Sequence, residues 1–226
     1  IGVSAILALL ASGDIPHGPV EGLFTATEET GMNGANGLME NLLQGEILIN
    51  LDSEDEGELY VGCAGGEDMN ARFSYKEKKT PKGYSGVNLS ITGLKGGHSG
   101  LDINLGRGNA NKIFFRILGE AACKLGVRLS SISGGSLRNA IPREAFGLLA
   151  VKNKKIQEFV TLVDQVAGVI KAELAHTEPD LTITLEPVGK PDTVINRKTQ
   201  KKLTKAIIAC PNEVIRMSDT MAGLVE

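Results

Sequence analysis

Two adjacent glutamates, Glu28 and Glu29, stand in Thr27-Glu28-Glu29-Thr30-Gly31, directly after residues 21–27, which read as a strand. In α/β proteins, sites are built at the carboxyl ends of strands. Neighbouring residues there point different ways, so one carboxylate can bind a metal while the other faces a substrate. A metal ligand beside a proton acceptor is the equipment of a metal-assisted hydrolysis. Two solvated loop glutamates are the plainer alternative. Asp52 repeats the arrangement, since it follows the apolar run Ile47-Leu48-Ile49-Asn50-Leu51. If both runs are strands of one sheet, Asp52 and Glu29 can reach one site. The acids at positions 54, 55, 56 and 58 read as a solvated face.

Two glycine-rich segments carry the other candidates. In Gly96-Gly97-His98-Ser99-Gly100 the glycines place His98 on a tight, exposed turn rather than in a core. Asn139 lies in Gly134-Gly135-Ser136-Leu137-Arg138-Asn139-Ala140-Ile141-Pro142, where its amide can hold a carboxylate or a developing oxyanion. A turn-forming asparagine is the alternative. His17, in a turn, reads as structural, and His176 follows a helix end. Cys63, Cys123 and Cys210 read as ordinary buried thiols. Gly106-Arg107-Gly108-Asn109-Ala110-Asn111 does not follow a strand and is no nucleotide fingerprint.

The elements that must position these residues fall into two textures. Residues 1–12 read as a helix closed by Ser12-Gly13. The runs 21–27, 46–51 and 58–63 read as strands, with helical spacing resuming from Ala35 to Leu43. That order suggests part of a doubly wound α/β sheet over residues 1–80. Lys76–Pro81 is polar, a linker or an edge. Beyond it a strand at 86–92, a helix at 109–125, strands at 127–133 and 144–152, a helix at 156–175 and a strand at 181–187 give the order β-α-β-β-α-β. This is the split arrangement of a ferredoxin-like α+β domain, assigned to residues 81–226. A helix at 199–209 and a short strand at 213–217 follow.

Composition narrows the function. The 226 residues carry a net charge of −3, which gives no electrostatic case for nucleic acid. No apolar run approaches the roughly 18 residues of a membrane helix. Three dispersed cysteines make no disulfide framework and no metal knuckle, so a reducing, cytoplasmic compartment is expected. Aromatic residues are 4% and tryptophan is absent, which argues against stacking on bases or sugars.

The segments TATEETGMNGANGL, ILINLDSEDEGELYVGCAGG, ITGLKGGHSGLDINLGRGNANK and GGSLRNAIPREA, in this order, closely resemble the aminoacyl-histidine (Xaa-His) dipeptidases, the PepD branch of the M20 metallopeptidases. The resemblance implies a catalytic α/β domain holding two divalent cations, zinc first with manganese or cobalt as alternatives. It also implies an inserted lid that closes over substrate and mediates homodimerisation. Glu28 matches the general base, Glu29 a ligand of one cation and Asp52 a ligand of the other. His98 matches the lid histidine that approaches the scissile carbonyl, and Asn139 the lid asparagine near substrate. The expected substrates are unspecific dipeptides, including those ending in histidine, with no nucleic-acid or membrane partner. Two of the five metal ligands of the family are matched, and the chain begins inside a helical pattern. The expectation is therefore an internal fragment: a slice of catalytic domain (1–80) and an incomplete lid (81–226), inactive alone and prone to oligomerise through exposed apolar surface. Another M20 hydrolase, a tripeptidase or an amino-acid deacylase, and a non-catalytic dimerisation module are the alternatives.

Overall fold

A computed structural model describes residues 1–52, 57–60, 65–220 and 225. The chain divides into two compact units, residues 1–66 and 67–226. The sequence places a boundary after residue 80; in the structure residues 67–80 belong to the second unit.

In the first unit α1 (Gly2–Ala11) forms as its Ala/Leu pattern predicts. Ser12 ends it, with its hydroxyl accepting the Asp14 and Ile15 N–H groups at 3.1 Å each. The predicted helix from Ala35 to Leu43 is reduced to one turn, α2 (Asn33–Asn36). Gly34 fixes that turn against the preceding segment. A Cβ there would sit 2.5 Å from the Ala26 nitrogen, and the Gly34 N–H donates to the Ala26 carbonyl at 3.1 Å.

The strands predicted at 21–27 and 46–51 do not form, and 58–60 is no strand either; 61–63 lies outside the described residues. A strand's hydrogen bonds all go to neighbouring strands, and among the described residues none pairs with these runs. The apolar run consequently lies open, with Ile47 85%, Leu48 80% and Ile49 74% exposed.

The second unit matches its predicted order closely. It contains β1 (Glu77–Lys79), β2 (Tyr84–Thr92), α3 (Ala110–Leu125), β3 (Arg128–Gly134), β4 (Ala145–Lys152), α4 (Ile156–Glu173), β5 (Thr182–Val188), β6 (Thr193–Ile195) and α5 (Arg197–Ala209). The four-stranded sheet has the order β3-β4-β2-β5 with every neighbour antiparallel, which is the ferredoxin-like topology. Val87, Leu89 and Ile91 of β2 point to one face and are buried, while Asn88, Ser90 and Thr92 alternate with them. Phe114, Phe115, Ile117 and Leu118 of α3 and Phe159 of α4 complete the core. Gly147 of β4 lies opposite Leu89 in register. A Cβ on Gly147 would fall 2.2 Å from Cζ of Phe114, so the ring packs directly on bare backbone.

The ends of α3 follow from its sequence. The Asn109 side chain accepts the Asn111 and Lys112 N–H groups, and Gly126 closes the helix at φ 72°. Lys112 then reaches across to α5, and its Nζ donates to the carbonyls of Ile207, Ile208 and Cys210 at 3.0, 2.6 and 2.5 Å. A cation at the carbonyl end of a helix is favourable. Gln200, 4% exposed, fixes α5 to β3 by accepting from Leu129 N–H and donating to the Val127 carbonyl.

The polar segment Lys76–Pro81 provides β1, paired antiparallel with β6. The strand predicted at 213–217 is reduced to a single bridge between Met217 and Val225. Cys123 and Cys210 are exposed rather than buried, since each falls on the outward side of a helix or just past its end; Cys63 lies outside the described residues.

α3 and α4 are joined by a two-pronged ion pair, Arg116 to Glu173, at 2.5 and 2.9 Å. The guanidinium hydrogen bond holds the Glu173 carboxyl below its ordinary range, against a smaller opposing effect of desolvation. A depressed carboxylate stabilises the fold above its unfolded value, and that contribution is lost as the pH falls through the lowered folded value. Arg116→Met should therefore lower the urea midpoint slightly near neutral pH. The pH-dependent part of the difference should vanish below the carboxylate range, and a difference of constant size at all pH would count against the pair.

Charge is unevenly shared along the chain. Residues 1–66 contain no Lys or Arg and eleven Asp or Glu, a charge of −11; residues 67–226 hold all 24 cations and 16 acids, a charge of +8. Among the described residues no helix is long and apolar enough to cross a membrane.

Candidate functional site

Glu28, Glu29 and Asp52 lie in the first unit. Glu28 and Glu29 occupy a turn whose backbone is unusual on both sides. Thr27 has φ 61°, Gly31 φ 131° and Met32 φ 55°. A β-branched residue in the left-handed region is costly, on the order of 1–3 kcal/mol, and such strain concentrates at functional sites. The turn is closed by Met32 N–H donating to the Thr27 carbonyl at 2.8 Å and the Gly31 N–H donating to the Glu28 carbonyl at 3.3 Å. Both glutamate side chains project into solvent. Asp52 is exposed as well, and its N–H donates to the Asn50 side-chain oxygen at 2.9 Å.

No described residue hydrogen-bonds or ion-pairs with the carboxylates of Glu28, Glu29 and Asp52. Their hard oxygen donors suit a divalent cation by kind. By number they do not complete a site. Among the described residues no group of three or more His, Cys, Asp or Glu is placed to hold a metal ion.

The second unit brings His98 and Asn139 together. The two glycine-rich segments lie side by side as an antiparallel bridge between His98 and Ala140. Ser99 N–H donates to the Asn139 carbonyl, and Ile141 N–H to the Gly97 carbonyl, both at 2.8 Å. An open cleft of about 600 Å³ runs between them, lined by His98, Asn139, Arg143 and Phe146 among others. The Asn139 side chain is half-buried and makes no hydrogen bond to a described residue, so its amide is available to a ligand.

The state of His98 follows from its partners. Nδ1 accepts two backbone N–H groups, from Gly100 and Leu101, each at 3.1 Å. A nitrogen accepting two donors carries a lone pair, so the proton of the neutral ring resides on Nε2. Nε2–H is thereby fixed as a hydrogen-bond donor.

Two residues absent from the predicted set hold this turn. Asp102 Oδ2 accepts the His98 N–H at 2.8 Å and Arg107 Nη1 at 3.1 Å, and the same Nη1 donates to the Gly96 carbonyl at 2.6 Å. Gly97, at φ 142°, is required beneath them, because a Cβ would lie 2.1 Å from Arg107 Nη1 and 2.5 Å from Asp102 Oδ2. The four-residue step from His98 to Asp102, a carboxylate capping its own turn, is the signal that would have found Asp102. His17 sits in an exposed turn with Nδ1 2.7 Å from the Gly18 carbonyl.

Comparison with known proteins adds three findings. Residues 81–178 match the family model of the peptidase dimerisation domain. The whole chain aligns at 45% identity with the cytosol non-specific dipeptidase of Escherichia coli (strain K12), covering 100% of this chain and 47% of that protein. It also aligns, at 42% identity and a TM-score of 0.77, with the crystal structure of aminoacylhistidine dipeptidase from Vibrio alginolyticus, covering 100% of this chain and 46% of that one. The chain thus spans about half the length of these relatives.

Proposed function

We propose, from the match of residues 81–178 to the peptidase dimerisation domain and the alignment of the whole chain with dipeptidases, that the whole protein is a cytosolic metallo-dipeptidase of the M20 family. Its substrates are unspecific dipeptides, Xaa-His among them. The observation that supports this most is the 45% identity running through all 226 residues. In this reading the first unit, residues 1–66, contributes part of the catalytic domain, and the second unit, residues 67–226, contains the lid through which two copies pair.

Glu29 and Asp52 are each a ligand of one of two divalent cations, zinc foremost, the remaining ligands coming from elsewhere in the whole protein. Bound there, such cations supply Lewis acidity to a carbonyl and to water. Glu28 takes the proton of the attacking water and passes it to the leaving amine. His98 donates from Nε2 to the carbonyl oxygen as charge gathers on it. Asn139 holds the substrate in the same cleft.

The test uses the whole protein with a panel of Xaa-His and other dipeptides, a tripeptide and an N-acyl amino acid. Dipeptide turnover should disappear on chelation and return with zinc, manganese or cobalt. The 226-residue chain alone, offering only two of the ligands, should retain no metal after dialysis and show no turnover. Preference for the tripeptide or the N-acyl amino acid would overturn the dipeptidase reading. Zinc-dependent turnover by the 226-residue chain would overturn the ligand assignment.

A further inference from the structure

We infer that Glu178 is a positioning residue for His98: its buried carboxylate clasps both ends of the loop that carries the histidine. Glu178 lies in the turn after α4 and is 3% exposed. Its Oε2 accepts the Lys95 N–H and its Oε1 the Gly108 N–H, each at 2.8 Å. Lys95 opens the loop and Gly108 closes it; His98, Asp102 and Arg107 all lie between.

The clasp is anchored outside the loop. Glu178 N–H donates to the Leu174 carbonyl at 2.8 Å, just past α4, and its own carbonyl accepts from Leu181 at 3.2 Å, just before β5. The loop ends are packed as tightly as they are bonded. A Cβ on Gly108 would meet Leu94 Cδ2 at 2.8 Å and Glu178 Cγ at 3.3 Å. A buried carboxylate is costly unless its oxygens are satisfied. Among the described residues no cation pairs with Glu178; two loop amides are what satisfy it. Charge-assisted hydrogen bonds of this kind are about twice as strong as neutral ones. Both mouths of the His98 loop are therefore held to the sheet-and-helix framework by one side chain.

This inference rests on the reading of His98 as the group that meets substrate, but its test does not use turnover, so the two can fail separately. Glu178→Gln keeps the size of the side chain and sets an amide N–H against one of the two backbone donors, releasing one end of the loop. In the 226-residue chain this should speed hydrogen exchange at Gly100 and Leu101, the donors to His98 Nδ1, by about tenfold or more. The ring nitrogen signals of His98 should move from a single Nε2–H tautomer toward a mixture. Leu89 and Leu149, in the sheet, should keep their protection. A merely structural loss would speed all these amides together and leave the His98 ring signals of the folded state in place. That result, or unchanged exchange at Gly100 and Leu101 in a folded variant, would overturn the clasp. Should the variant not fold, the wild-type chain carries the test: Lys95, Gly100, Leu101 and Gly108 should open in one event with a common denaturant slope. Separate events for the loop ends and the His98 turn would also overturn it.

Discussion

Phe114→Ala should cost the second unit about 3–5 kcal/mol, measured by urea unfolding. The ring is fully buried, edge-on to Phe115 at a centroid distance of 5.6 Å, and lies on the bare backbone of Gly147. Its removal opens a cavity in the middle of β4 and β2, where neighbouring strands pin the walls and limit collapse. Gly147→Ala approaches the same contact from the other side. Its new methyl has no room while Phe114 is present, and overpacking of this kind costs about 1–3 kcal/mol. The double variant distinguishes this account from two independent effects. The methyl added at position 147 fits the space that Phe114 vacates, so the pair should cost less than the sum of the single changes, by about 1 kcal/mol or more. Simple additivity would show that Gly147 and Phe114 do not share this packing.

Glu28→Gln, made in the whole protein, should lower kcat for dipeptide hydrolysis by about 10²–10⁴-fold. The amide has the shape of the carboxylate but cannot take a proton from water. Metal content and KM should change little, because in the proposed scheme Glu28 is not a ligand. Glu29→Gln should differ in kind, with lower metal content as well as lower turnover. The contrast tests whether two adjacent carboxylates have separate tasks. The strained turn between Thr27 and Met32 gives a physical reason for it, since a backbone held in the left-handed region at both ends can aim neighbouring side chains apart. A Glu28→Gln variant with wild-type kcat would remove that residue from the proton-transfer role.

The second unit was largely legible in the sequence because each long element carries its own period and its own punctuation. Asn109 and Gly126 bracket α3, and the 134–142 turn separates β3 from β4. β1 and β6, three residues each, are too short to show a period. The runs 21–27 and 46–51 misled for another reason. Alternation and apolar content record which face of a segment is suited to burial, not whether a neighbouring strand is present to pair with it. At the candidate site the two glycine-rich turns could be read as exposed and capable of chemistry. Their union across the His98–Ala140 bridge could not, because it depends on the register of the whole sheet. Glu178 was invisible for the same reason. In sequence it is one more glutamate after a helix, and its backbone partners Lys95 and Gly108 lie 83 and 70 residues upstream.

The uneven division of charge bears on how copies of this chain behave toward one another in dilute buffer. A net −3 suggests weak mutual repulsion, yet each copy presents a stretch of −11 and a unit of +8. At about 0.01 M ionic strength the screening length is roughly 30 Å, so the acidic part of one copy and the basic part of another attract before they touch. Added salt shortens that reach to about 8–10 Å near physiological strength and weakens the attraction. The physical consequence is salting-in: the chain is more soluble in moderate salt than in its absence, the reverse of what uniform like charge would produce.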